Sequence, residues 1–158
     1  MTGVQTCALP IYFGYPQSPS IPRVQAALEQ LQADMGDDYP PAMPHSMLGR
    51  AVKLLDAGKT DAARKEFEAL IPQLGGAERD LARVRIGVAM YNANQNAAAY
   101  EYLSKLEVDA SEPDAERLHY MVQSQRRLNK LDKMDELAER IAELYPKSPW
   151  TVDALIAA

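Results

Sequence analysis

Apolar residues recur at spacings of three and four almost throughout this 158-residue chain, and no stretch alternates strictly for long enough to make a strand. The pattern predicts an all-α protein. Glycine, proline and capping residues divide it into eight helices, at about 20–34, 44–57, 60–73, 77–93, 96–107, 114–129, 132–144 and 148–158. Gly36 and the loop Asp37-Asp38-Tyr39-Pro40-Pro41 end the first, and Gly58, free to take the left-handed conformation, ends the second. Thr60 or Asp61 is the expected N-cap of the third helix, and Gly75-Gly76 breaks the chain after it. Links of about two to six residues make neighbouring helices antiparallel.

The helix pairs repeat. Asn94, Ala99, Leu103 and Leu106 of the middle pair match Gly58, Ala63, Phe67 and Leu70 at an offset of 36, and Asn129, Met134, Ala138 and Ile141 at an offset of 35. A small residue in each helix lets its partner approach, and a large apolar one fills the gap, as Ala63 with Phe67. Repetition on this scale marks stacked hairpins, an α-solenoid, rather than a closed globule. The spacing resembles that of tetratricopeptide repeats, with a period of about 34 residues, and the resemblance implies a right-handed superhelix. The match is degenerate. No repeat carries the family's Trp, only Ile86-Gly87 stands for its Leu-Gly pair, and Gln125 replaces an expected aromatic.

A second internal echo is sharper. Ile11-Tyr-Phe-Gly-Tyr15-Pro16-Gln-Ser18-Pro19 is repeated as Ile141-Ala-Glu-Leu-Tyr145-Pro146-Lys-Ser148-Pro149, each followed by an Ala-rich amphipathic stretch. Pro146 cannot continue the preceding helix, Ser148 is a good N-cap, and Pro149 suits a first helical turn. Tyr-Pro-x-Ser-Pro with Trp150 behind it, preceded by Arg126-Arg127-Leu128-Asn129-Lys130, resembles the superhelical region of soluble lytic murein transglycosylases. So do Arg50-Ala51-Val52-Lys53-Leu54-Leu55 and Ala62-Ala63-Arg64-Lys65-Glu66-Phe67. Similar motifs occur in envelope lipoproteins with such repeats.

The resemblance implies a curved scaffold in the periplasm or cell envelope, whose partners are peptidoglycan or the parent's own lysozyme-like catalytic domain. In that family the catalytic Glu lies in a Glu-Ser pair, followed by a Gly-Leu-Met-Gln-like stretch, and neither motif occurs in these residues. The expected role is therefore non-catalytic. The alternative is a freestanding adaptor, or an envelope lipoprotein, that binds protein or peptide partners.

Both ends read as cut. Met1–Ile11 resemble a translated sequencing adapter and are set aside from the native domain at 12–158; Ala157-Ala158 fall in mid-pattern with no cap. Cys7, the chain's one cysteine, belongs to the adapter-like stretch, so cysteine usage carries no redox information. The formal net charge of −5 argues against nucleic acid as a partner, and no apolar run is long enough for a membrane span.

Catalytic chemistry finds little support. Glu136, Glu139 and Glu143 alternate with Lys133 and Arg140 as on a solvated helix face, and Asp37-Asp38 read as turn formers. His45 and His119 are far apart in sequence, so no metal site is expected, and Ser46, Ser104, Ser111 and Ser124 lack a nucleophile motif. Gly75-Gly76 is a connector rather than a phosphate loop, and no cofactor is implied. Tyr91, Tyr100, Tyr102, Tyr120 and Trp150 read as helix-interface core, with a sugar-stacking platform as the alternative.

Carried over from the tetratricopeptide resemblance, the ligand-binding concave side would hold Val88, Tyr91 and Asn92 of one hairpin, and His119, Gln123, Arg126 and Arg127 of the next. Paired arginines suit a carboxylate or phosphate ligand; the competing expectation is a solvated edge paired with Glu116 or Asp132.

Overall fold

The computed structural model describes residues 3–40 and 43–157. Met1 and Thr2 of the adapter-like stretch, Pro41 of the predicted loop and Ala158 at the end of the last predicted helix lie outside these. Among the described residues there are nine α-helices and no strand. They are α1 (Gly3–Gly14), α2 (Ile21–Met35), α3 (Pro44–Asp56), α4 (Thr60–Leu70), α5 (Gly76–Asn92), α6 (Asn96–Ser104), α7 (Glu112–Arg127), α8 (Leu131–Leu144) and α9 (Pro149–Ala157). Single 3-10 turns follow α2 at Gly36–Asp38 and α4 at Ile71–Gln73, the second starting where Pro72 ends regular α geometry. Helix α1 is additional to the eight that the pattern predicts, and it runs through the adapter-like residues.

Three turns close by the same backbone bonds. At each, a residue with positive φ follows the helix: Gly58 (73°), Asn94 (61°) and Asn129 (56°). Its N–H bonds the carbonyl three residues back, as in Gly58 to Leu55, Asn94 to Tyr91 and Asn129 to Arg126. The next N–H reaches five residues back, as in Lys59 to Leu54, Gln95 to Met90 and Lys130 to Gln125. These bonds satisfy carbonyls that the helix leaves free, and glycine and asparagine are the residues that take the left-handed position at least cost. The turns are so short that the last of these residues also caps the following helix. Lys59, not Thr60 or Asp61, thus occupies the N-cap of α4, with no side-chain cap bond.

From α3 to α9 each helix packs against the next, and the odd-numbered helices also pack in series, α3 on α5, α5 on α7 and α7 on α9. Ala63, Phe67 and Leu70 of α4, Ala99 and Leu103 of α6, and Met134, Ala138 and Ile141 of α8 all enter the buried core. A Cβ placed on Gly87 would come within 2.3 Å of Leu103. Ala51 and Val122 occupy the matching positions in the neighbouring pairs, and Val122 is matched by Ala138 where Gly87 meets Leu103. The larger residue thus sits on the second helix in the first two hairpins and on the first helix in the third.

Candidate functional site

The odd-numbered row carries most of the aromatic and ionisable groups that chemistry would use. Tyr91 of α5, His119 and Tyr120 of α7, and Trp150 of α9 form one continuous cluster. Ring centroids are 5.2 Å apart for Tyr91 and Tyr120, 5.0 Å for His119 and Tyr120, and 5.2 Å for His119 and Trp150. The first two contacts are edge-to-face, the arrangement that aromatic quadrupoles favour. The rings cover one another, and Tyr91 and His119 are buried. This favours the core reading over a flat sugar platform, and Tyr100 and Tyr102 stand outside the cluster.

Arg127 lies across the open face of Tyr91, its guanidinium carbon 3.7 Å from the ring centroid. Its Nη1 donates to the Tyr91 carbonyl at 3.1 Å and reaches Oδ1 of Asn94 at 3.4 Å and of Asn96 at 3.5 Å. The arginine is held by neutral acceptors, so its charge is positioned without being neutralised. Arg126 is exposed and joins no ion pair among the described residues. Consecutive helical residues diverge by about 100°, so the two arginines do not act as one fork. Asn92 is exposed and Gln123 half-buried beside this edge, whereas Val88 is 1% exposed and belongs to the core, not to a surface.

The expected pairing of these arginines with Glu116 or Asp132 does not occur. Glu116 is buried at 3% exposure and lies 2.9 Å from Nε of Arg85. Burial pushes its carboxyl up to about 7, with the attraction of Arg85 opposing the rise. Burial also lowers the pKa of His119, whose Nδ1 has no hydrogen-bond partner. A further polar network ties α7 to its neighbours. Asp114 accepts from Arg117 at 2.6 Å and from the Tyr145 hydroxyl at 2.7 Å, while Arg117 also donates to the Leu103 carbonyl at 3.2 Å. Glu136, Glu139 and Glu143 are exposed, as their spacing predicts.

Glu116 faces a guanidinium rather than a second acid across a cleft, and no group of three or more metal-ligating side chains converges among the described residues. An apolar cavity of about 520 Å³ lies elsewhere, between α1, α2 and the start of α3, lined by Tyr12, Phe13, Leu28, Tyr39 and Met47. Among the described residues no helix is long and apolar enough to cross a membrane. No protein-family model matches the chain, and no curated protein or solved structure matches it significantly.

Proposed function

We propose that the chain is a non-catalytic helical-repeat scaffold, a tetratricopeptide-like solenoid of antiparallel hairpins. The observation that carries this reading is the turn at Gly58, Asn94 and Asn129, closed by equivalent bonds at successive offsets of 36 and 35. Packing of each helix on the next and next but one supports it, since that is how repeats share a core. On the further strength of the Tyr-Pro-x-Ser-Pro-Trp resemblance, the scaffold is the superhelical part of a peptidoglycan-cleaving lytic transglycosylase, working in the periplasm or cell envelope. Its partners are then peptidoglycan and a catalytic domain outside these residues, and of the expected ligand residues the accessible edge is Asn92, Gln123 and Arg127, with Tyr91 and His119 buried behind it and Arg126 to one side. Within that edge Arg127 is the anchor.

Co-sedimentation of the purified chain with cell-wall sacculi tests the assignment. Binding that weakens about tenfold in Arg127→Ala, a loss of about 1.4 kcal/mol, and less in Arg126→Ala, is the expected result. If wild-type chain stays in the supernatant, the peptidoglycan assignment fails and a protein-binding adaptor becomes the better account of the same scaffold.

A further inference from the structure

Arg85 stands between two carboxylates carried by different helices. Its Nε lies 2.9 Å from Oε1 of Glu116 on α7, and its Nη1 lies 3.8 Å from Oδ1 of Asp56 at the end of α3. The two acids differ in surroundings, since Glu116 is buried and the Asp56 side chain is 64% exposed. Arg85 and Glu116 are thus in close ion-pair contact, with Asp56 at the edge of the same reach. In this structure the guanidinium is on the Glu116 side of the pair.

We propose that Arg85 is a proton-controlled latch that exchanges partners, holding α7 through Glu116 when that carboxyl is ionised and α3 through Asp56 when it is not. Geometry places both carboxylates within reach of one guanidinium, and burial makes the control reachable near neutrality, because an ionised carboxylate withdrawn from water is costly even beside a guanidinium. The charged groups acting on Glu116 are Arg85 on α5 and Asp56 on α3. Tyr120, one turn along α7, feels both acids together with Arg85 and Tyr91. On the α9 side Asp153 acts on His119. Proton uptake by Glu116 removes the nearer attraction and leaves the Asp56 attraction intact, so the favoured guanidinium position moves toward α3. Because α3, α5 and α7 pack in series, the exchange changes which joint of the row is tied. The latch does not depend on what the chain binds.

The test follows the Glu116 carboxyl carbon and the Arg85 Nε–H by NMR in the wild-type chain and in Asp56→Asn, from about pH 5 to about pH 8.5. In the wild type both signals should move together with a midpoint near 7. Asp56→Asn changes a mostly exposed side chain, so the fold survives, and it should shift the Arg85 signal at the acid end while leaving the alkaline end in place. A Glu116 midpoint in the ordinary carboxylate range, an Arg85 signal that does not follow Glu116, or an acid-end position indifferent to Asp56→Asn would each overturn the latch.

Discussion

The turns at Tyr15–Ile21 and Tyr145–Thr151 share a sequence pattern and the same backbone bonds, yet among the described residues only the second has side chains of its own bonded to a neighbouring helix. In both, the tyrosine N–H reaches back four residues, to Ile11 and to Ile141. The serine N–H bonds the tyrosine carbonyl, and the residue three beyond bonds the serine carbonyl. Even the serine hydroxyl accepts the same backbone N–H at 3.3 Å, from Ser20 and from Trp150. Beyond the backbone they part. Tyr145 donates to Asp114, the Ser148 hydroxyl to Glu112 at 2.9 Å and the Thr151 hydroxyl to the Tyr145 carbonyl at 2.6 Å. Tyr15 is 70% exposed, and Ile21 stands where Thr151 makes its bond. Local sequence sets the shape of such a turn, and the neighbouring helix decides whether it bears on stability. The second turn meets the start of α7; the first joins α1 to α2, a helix whose one buried side chain is Leu28.

The largest contrast is expected at the isoleucines. Ile141 is fully buried, so Ile141→Ala should cost about 3–4 kcal/mol in urea or thermal unfolding, while Ile11→Ala, at a half-buried site, should cost about 1 kcal/mol or less. Next comes the hydroxyl. Tyr145→Phe strands an oxygen of Asp114 and should cost about 1–2 kcal/mol, against a change within about 0.5 kcal/mol for Tyr15→Phe. Smaller again is the serine hydroxyl: Ser148→Ala, at the cap of α9, should cost about 1 kcal/mol, and Ser18→Ala, two residues before the α2 cap, a few tenths, because Ser148 is buried and also serves Glu112. Equal losses within any pair would break the comparison and make the turn a purely local device.

The two turns also mark how far the sequence could be read. Helix limits followed from period and punctuation, and so did the left-handed conformation of Gly58; Asn94 and Asn129, which align with it, take the same conformation, though the sequence pattern marks it at Gly58 alone. Helix α1 was missed because its residues were set aside with the adapter-like stretch. The candidate site was legible only in part. Tyr91 and Arg127 do meet, but Val88 is core, and Arg126 points away from the stripe that Arg127 completes. Glu116 shows why. Helix α7 is polar in composition, yet ten of its residues are buried, because α5, α6, α8 and α9 all pack against it. A helix enclosed by neighbours keeps its charges by pairing them, Glu116 with Arg85 and Arg117 with Asp114, and such pairing leaves no trace in the period of one helix. Positions 116, 120, 123 and 127 do lie on one face, but a face of mixed polarity reads as solvated until the neighbours are known.

The finest test of the anchored turn is its response to alkali. The Tyr145 hydroxyl is pushed up to about 12, first by burial and then by the hydrogen bond and charge of Asp114. Its neutral form is therefore favoured in the folded chain, which keeps a proton that the unfolded chain releases at about pH 10. Stability from this group is complete below that pH and is lost as pH climbs toward 12. Burial raises Tyr102 and Tyr120 as well, so the fall in melting temperature is shared, and the Tyr145 ring has to be followed by its own NMR signal. Asp114→Asn keeps the shape of the acceptor while removing its charge, and should move the Tyr145 midpoint downward without returning it to the ordinary tyrosine value, since burial is the larger cause. An unmoved midpoint would mean that Asp114 does not anchor the hydroxyl, and the difference between the two turns would then rest on the burial of Ile141 and the bonds of Ser148 and Thr151.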